Sequence, residues 1–336
     1  MREIQTTVVG SYPIPDWLPA LPSQQAVRDA TAVVFHTQEL AGIDLVADGE
    51  LYRFDVNHPE TNGMIDYFIR PMTGIRAAVT RDELRRFREE SGMSYRSEPA
   101  GVVEGELGEG LLNLPRDYRR ARELTGARLK FTLTGPHMLA KVLLDRQYRD
   151  RAALADALAG VLAAQVAEID ADVVQVDEAN ITGAPEEAPW AAEAINRVLD
   201  AVPGETAVHL CFGNYGGQTI QRGTWTALID FMNRLRVDHL VLELARRGGE
   251  SELEALRALR PEIGIGLGVV DIKDNAVETP DEIAGRIERA ARILGAGRIR
   301  YVHPDCGFWM LKRSVADAKM RALVQGRDRF EGRASG

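Results

Sequence analysis

One of only two cysteines in this chain stands two residues from a histidine, in the stretch AVHLCFGN that carries His209 and Cys211. The run reads as a buried strand. In a strand, residues i and i+2 point to the same face, so both side chains reach toward one point. The second cysteine, Cys306, lies in YVHPDCGFW after another strand-like run. An imidazole nitrogen with thiolate sulfurs is a donor set for a borderline-soft divalent cation, above all zinc. The alternative is packing, since a free cysteine is among the most buried residue types and often only fills a core.

Whether the two stretches meet depends on the elements that carry them. Eight short runs rich in Val, Ile and Leu recur along the chain, at 6–11, 43–50, 128–136, 172–178, 206–213, 238–245, 263–271 and 298–305. Near-continuous apolar strands of this kind belong to parallel sheets covered by helices. Helical segments separate most of them. Residues 23–42 have apolar positions at helical spacing and end in Gly42, a C-cap. Residues 150–171 are rich in Ala and Leu behind Asp150, an N-cap. Residues 279–297 open with Thr279 and Pro280, an N-cap followed by proline at the first helical position. Eight strands alternating with helices predict an α/β fold, a (β/α)8 TIM barrel over residues 1–330, with 331–336 a disordered tail.

Residues 52–127 hold too much chain for one connection. They read as an excursion after the second strand, with a charged helix in RDELRRFREE and a hairpin-forming extended piece in PAGVVEGEL. RDYRRARE (116–123) reads as a solvated helix face rather than an anion site. The glycines at 264, 266 and 268 are spaced by two with no helix start among them. They are not a dinucleotide fingerprint but mark close packing or room for a ligand.

In such a barrel the active site lies at the C-terminal ends of the strands. Those ends hold Ser11, Glu50, Thr134, Asp177 with Glu178, His209 with Cys211, Glu243, Asp271 and Cys306. Both cysteines fall on this rim, with His209 and Glu243 on neighbouring strands. The candidate metal set is therefore His209, Cys211, Glu243 and Cys306, binding Zn²⁺. A carboxylate is the most replaceable member, and a substrate thiol displacing Glu243 would be deprotonated and oriented by the metal. A closed structural zinc staple is the competing reading, although a large barrel core needs none. His303 reads either as a partner of a ligand or as a packed strand histidine. His137, after LTGP, sits where it could meet substrate.

Composition narrows the class. Hydrophobic residues make up 45% and charged residues 27% of the 336, as in soluble enzymes. A net charge of −9 argues against nonspecific nucleic-acid binding. No run is long and apolar enough for a membrane span, and the N-terminus lacks the apolar core of a signal peptide. Two cysteines make no disulfide framework, so a cytoplasmic setting is expected.

The motifs TTVVGSYP, DGELYRFD, LTGP, VQVDEA, HLC, GLGVVDI and HPDCGF stand in this order along the chain. Together they resemble the catalytic C-terminal barrel of the cobalamin-independent methionine synthase family, over about residues 5–325. The resemblance implies zinc at His209, Cys211, Glu243 and Cys306. It implies contacts to an amino-acid thiol, homocysteine, from Ser11, Glu50 and Asp177, with Asp177 and Glu243 as the catalytic candidates. The implied activity is methyl transfer to homocysteine, giving methionine. Three departures stand out. A stand-alone catalytic barrel is expected, without the N-terminal barrel that the full-length enzymes carry. Lys273 stands where the folate-dependent members usually have a histidine, and Val142 where they have a tryptophan that contacts the folate. Both changes lie on the methyl-donor side, so a methylcorrinoid or corrinoid protein is the expected donor, unless an aromatic such as Trp309 or Tyr215 compensates. Rival readings are a zinc-dependent epoxide:thiol alkyltransferase, a metal-free decarboxylase of the uroporphyrinogen type, and a non-catalytic zinc-binding barrel.

Overall fold

A computed structural model of the chain describes residues 3–54, 62–91, 96–214 and 219–333. Among the described residues eleven strands run in chain order: β1 (Gln5–Thr6), β2 (Leu45–Ala47), β3 (Thr73–Arg76), β4 (Val102–Gly108), β5 (Arg128–Thr134), β6 (Leu144–Asp145), β7 (Val173–Glu178), β8 (Glu205–Leu210), β9 (His239–Leu242), β10 (Gly264–Val270) and β11 (Ile299–Pro304). Eight of them form one parallel sheet in the order β1-β11-β10-β9-β8-β7-β5-β2. A parallel bridge between Thr7 and Leu45 joins its two ends and closes the barrel. Each expected apolar run supplies one barrel strand. β7 and β10 are buried along their whole length, as strands with a helical layer outside and side chains inside must be.

The helices start and stop where their caps stand. Ser23 accepts from Ala26 N at the start of Gln24–Ala41, which ends on Gly42 at φ 84°. Asp150 caps Arg151–Val166, and Thr279 with Glu282 forms a reciprocal capping box on Pro280–Leu294. The last helix, Arg313–Glu331, runs into the segment expected to be a tail. The Glu331 carboxylate accepts from Ile4 N at 2.7 Å, and residues 334–336 lie outside the described residues.

The excursion carries an antiparallel β3–β4 pair and the charged helix Arg81–Glu90. Its small sheet gains a third strand from beyond residue 127, because β6 pairs parallel to β4. That pairing joins residues about forty positions apart and has no local signature. The helix Leu114–Arg122 shows Arg119 and Arg120 to solvent, the solvated face expected there. Among the described residues no helix is long and apolar enough to cross a membrane.

Candidate active site

Alternation along the strands sends Gln175 and Asp177 of β7 and Ala207 and His209 of β8 into the barrel. Register pairs Asp177 with His209 and His209 with Val241. β8 then delivers Cys211 just past its end. β11 delivers Cys306 two residues past its own. The ring nitrogen of His209 and the sulfurs of Cys211 and Cys306 offer ligand atoms all within 4.8 Å of one another. The two stretches do meet.

The chemistry of this cluster fits a metal. His209 Nδ1 lies 3.0 Å from the carbonyl of Val241, which can only accept, so this nitrogen carries the proton. Nε2 keeps its lone pair and, among the described residues, is buried without a hydrogen-bond partner. The Cys211 thiol is held well above its ordinary value by its hydrogen bond to Cys306 and by burial. Two adjacent thiolates in this place need a cation between them. One nitrogen and two sulfurs with a further position left open is the donor pattern of a catalytic zinc site.

Glu243, the expected fourth ligand, is held by a lysine and a backbone amide. Its Oε1 accepts from Lys273 Nζ at 2.6 Å and its Oε2 from Phe212 N at 2.9 Å. Both side chains are only 2% exposed. Lys273 thus has a partner on the rim that carries the His209–Cys211–Cys306 cluster, which sequence reading missed. Asp305, next to Cys306, accepts from Leu244 N and Ala245 N at 2.9 and 2.8 Å and anchors the segment that follows Glu243.

The three candidate substrate contacts lie on the same rim. Ser11 abuts Gly307, where any Cβ would strike its hydroxyl, and its carbonyl accepts from Phe308 N at 2.8 Å. It therefore sits beside Cys306. Glu50 adopts a left-handed backbone at φ 61°, rare for a residue with a side chain. The turn that imposes it is built by Gly49, at φ 77°, and by Asp48, whose Oδ1 accepts from Glu50 N at 2.9 Å. Glu50 Oε1 accepts from Thr132 Oγ1 at 2.6 Å and lies 3.4 Å from the guanidinium of Arg53. Arg53 is buried among Tyr52, Tyr67, Phe68 and Phe131. Burial lifts Asp177 to about 6, and the Glu50 carboxylate pushes it the same way. The signal for Asp48 and Arg53 was present in DGELYRFD, but only the turn shows what they hold.

Below the rim a polar chain runs into the barrel. Lys130 Nζ donates to the Val8 carbonyl and to Gln175 Oε1, and Gln175 Nε2 donates to Asp177 Oδ1 at 2.7 Å. Burial draws Lys130 down to about 7. A neutral amine has two hydrogens, matching its two acceptors. In the unfolded chain this lysine holds its proton up to about 10.4, whereas the folded protein releases it near 7. Between those values the unfolded state binds more protons, so stability rises with pH, at most by about 1.4 kcal/mol per pH unit. Chemical denaturation between pH 7 and 9.5 should show this slope in the wild type and lose it in Lys130→Met; equal slopes would refute it.

Other expectations resolve into packing. His137 lies buried at the start of a helix. Pro136 starts a helix, Pro136–Val142, that turns His137 inward, 3.0 Å from Glu178 and 2.8 Å from Glu187. Glu178 points away from the barrel interior because it follows Asp177 on the strand. His303 packs over Gly266, and burial pulls it down to about 3, so it stays neutral. Gly268 makes room for Asp305, so the alternate glycines serve close packing. Val142 is buried at its helix end. Trp309 is 40% exposed and stacks on Phe54 with centroids 6.4 Å apart, while Tyr215 lies outside the described residues.

Comparison with known proteins places this arrangement. The model of the cobalamin-independent synthase catalytic domain matches residues 4–327. The chain is 30% identical to a methionine synthase of Thermococcus kodakarensis, over 96% of this chain and 92% of that protein. It is 28% identical to one of Sulfurisphaera tokodaii, over 96% and 91%. In fold it is similar to a B12-independent methionine synthase from Shewanella sp. W3-18-1, with a TM-score of 0.79, 23% identity and 98% of each chain covered. The eight-stranded barrel and the match along nearly its whole length together show that the chain belongs to the cobalamin-independent synthase catalytic-domain family of enzymes.

Proposed function

We propose that this chain is a zinc-dependent thiol methyltransferase that converts homocysteine to methionine. The observation that carries the reading is the cluster of His209, Cys211 and Cys306 on the same rim as Ser11, Glu50 and Asp177. Bound zinc lowers the pKa of a coordinated thiol and presents the thiolate as a nucleophile at neutral pH. His209, Cys211 and Cys306 hold the metal, and Glu243 is its exchangeable fourth ligand. Glu50 and Asp177 receive the substrate ammonium through charge-assisted hydrogen bonds, and Ser11 adds a hydroxyl beside Cys306. In the transfer the thiol proton goes to solvent, a sulfur–carbon bond forms, and the bond from methyl to donor breaks with its electron pair left on the donor. The carboxylates favour an amino-acid thiol over the thiols of an epoxide:thiol transferase, which have no ammonium to receive.

The methyl donor we assign is a methylcorrinoid, free or protein-bound. Val142 is buried and Lys273 is engaged with Glu243, so neither offers a folate the stacking ring or imidazole of the folate-dependent members. A methyltetrahydrofolate donor is the second reading, favoured by the half-exposed Trp309 on Phe54. Zinc-loaded protein incubated with homocysteine and each donor should give methionine with the methylcorrinoid. Methyltetrahydrofolate polyglutamate should turn over with kcat/KM below about 10⁴ M⁻¹s⁻¹, the lower end for true substrates. Efficient turnover of the folate would install the second reading, and no methionine with any donor would refute the activity.

A further inference from the structure

The Glu243 carboxylate has two competing demands on it. By residue type and place on the rim it is the candidate fourth metal ligand, yet its Oε1 is 2.6 Å from Lys273 Nζ and it is not among the tight cluster of His209, Cys211 and Cys306. Lys273 and Glu243 are both buried, and among the described residues the nearest other cation, Arg247, is 3.8 Å from Oε1 and hydrogen-bonds instead to the Gly223 carbonyl. A buried ammonium draws this carboxylate toward it, since an unpaired buried charge is unfavourable. The loop bearing Lys273 is itself pinned. Lys273 N donates to Asp271 Oδ1 at 2.8 Å, Asp271 N donates to Glu278 Oε1 at 2.7 Å, and Glu278 pairs with buried Lys319 at 2.9 Å. The ammonium is thus held at a fixed post beside the metal cluster.

We propose that Lys273 is a positioning residue that receives the Glu243 carboxylate whenever it leaves the metal, making the fourth coordination position exchangeable for the substrate thiol. This inference rests on Glu243 being a ligand in the proposed function. A carboxylate that leaves the metal at this buried rim is best received by another cation, and among the described residues Lys273 is the one within hydrogen-bond reach. The exchange conserves charge: a thiolate arrives at the metal as a carboxylate arrives at the ammonium. A histidine at this position, whose charge comes and goes around physiological pH, would offer no such permanent charge. The two side chains therefore act as a pair in ligand exchange, and Lys273 acts through Glu243 rather than on the methyl group.

The test is zinc affinity, read by chelator competition, in Lys273→Met, Glu243→Gln and the double variant, with folding checked by circular dichroism. Removing the ammonium should leave Glu243 committed to the metal. Zinc should then bind about tenfold more tightly or better in Lys273→Met, an effect of the size that neighbours of ligands have on metal affinity. In the Glu243→Gln background the same substitution should change affinity much less, and this coupling is the signature of an action through Glu243. X-ray absorption should show homocysteine adding a sulfur neighbour in the wild type and not in Lys273→Met. Lys273→Gln, which keeps a donor without the charge, should behave as Lys273→Met does and serves if the methionine variant misfolds. Equal tightening in both backgrounds would mean simple charge repulsion and overturn the proposal, as would no tightening while Glu243→Gln weakens zinc. If Glu243→Gln leaves affinity and first shell unchanged, Glu243 is no ligand and the reading beneath the proposal falls with it.

Discussion

Cys211→Ser or Cys306→Ser is expected to strip the metal and lower methionine formation by on the order of 10³-fold or more, while the barrel stays folded. Each substitution removes one of three donor atoms that lie within 4.8 Å of one another. A serine hydroxyl does not ionise at neutral pH and is a poor zinc ligand. Without the metal an ordinary thiol, with a pKa near 8.5, is mostly protonated at pH 7 and is a weak nucleophile. The fold should survive, because the core around the barrel is built from apolar side chains that do not involve either sulfur's charge. Elemental analysis with circular dichroism checks both halves. Stoichiometric zinc in either variant, or none in carefully prepared wild type, would overturn the assignment of the cluster.

The second large effect concerns the ammonium site. Glu50→Gln and Asp177→Asn should each lower kcat/KM for homocysteine about 10- to 100-fold, the size of a lost hydrogen bond to a charged group, with zinc content unchanged. Glu50 is held in a left-handed backbone by Gly49 and Asp48, and its carboxylate is fixed by Thr132 and Arg53. A strained residue so firmly held is typical of a binding position. A simple alkylthiol, which has no ammonium, should react equally well with wild type and variants. Because burial lifts Asp177 to about 6, its carboxylate is neutral below that pH and charged above it. Ammonium binding needs the charged form, so kcat/KM for homocysteine should rise with pH through about 6 and lose this limb in Asp177→Asn. Unchanged kcat/KM in both variants would remove the carboxylates from the substrate site.

Local pattern accounts for much of this protein. Eight apolar runs, each bounded by turn residues, specify eight strands, because a strand buried on both faces must be apolar throughout. Caps at Ser23, Asp150 and Thr279 specify helix starts, because the orphan amides of a first turn need an acceptor close by in sequence. The i, i+2 spacing of His209 and Cys211 put both on one side of a strand end. The closed barrel then required Cys306 to meet them. What pairs across the rim was decided elsewhere. Glu243 rests on Lys273, thirty residues away; His137 turns inward to Glu178 and Glu187; Lys130 reaches Asp177 through Gln175; β6 joins a sheet begun in the excursion. Each of these depends on which charges or strand edges the tertiary fold brings within hydrogen-bond distance. Sequence periodicity records the face on which a side chain lies, but a buried charge takes whichever partner the packed barrel sets against it.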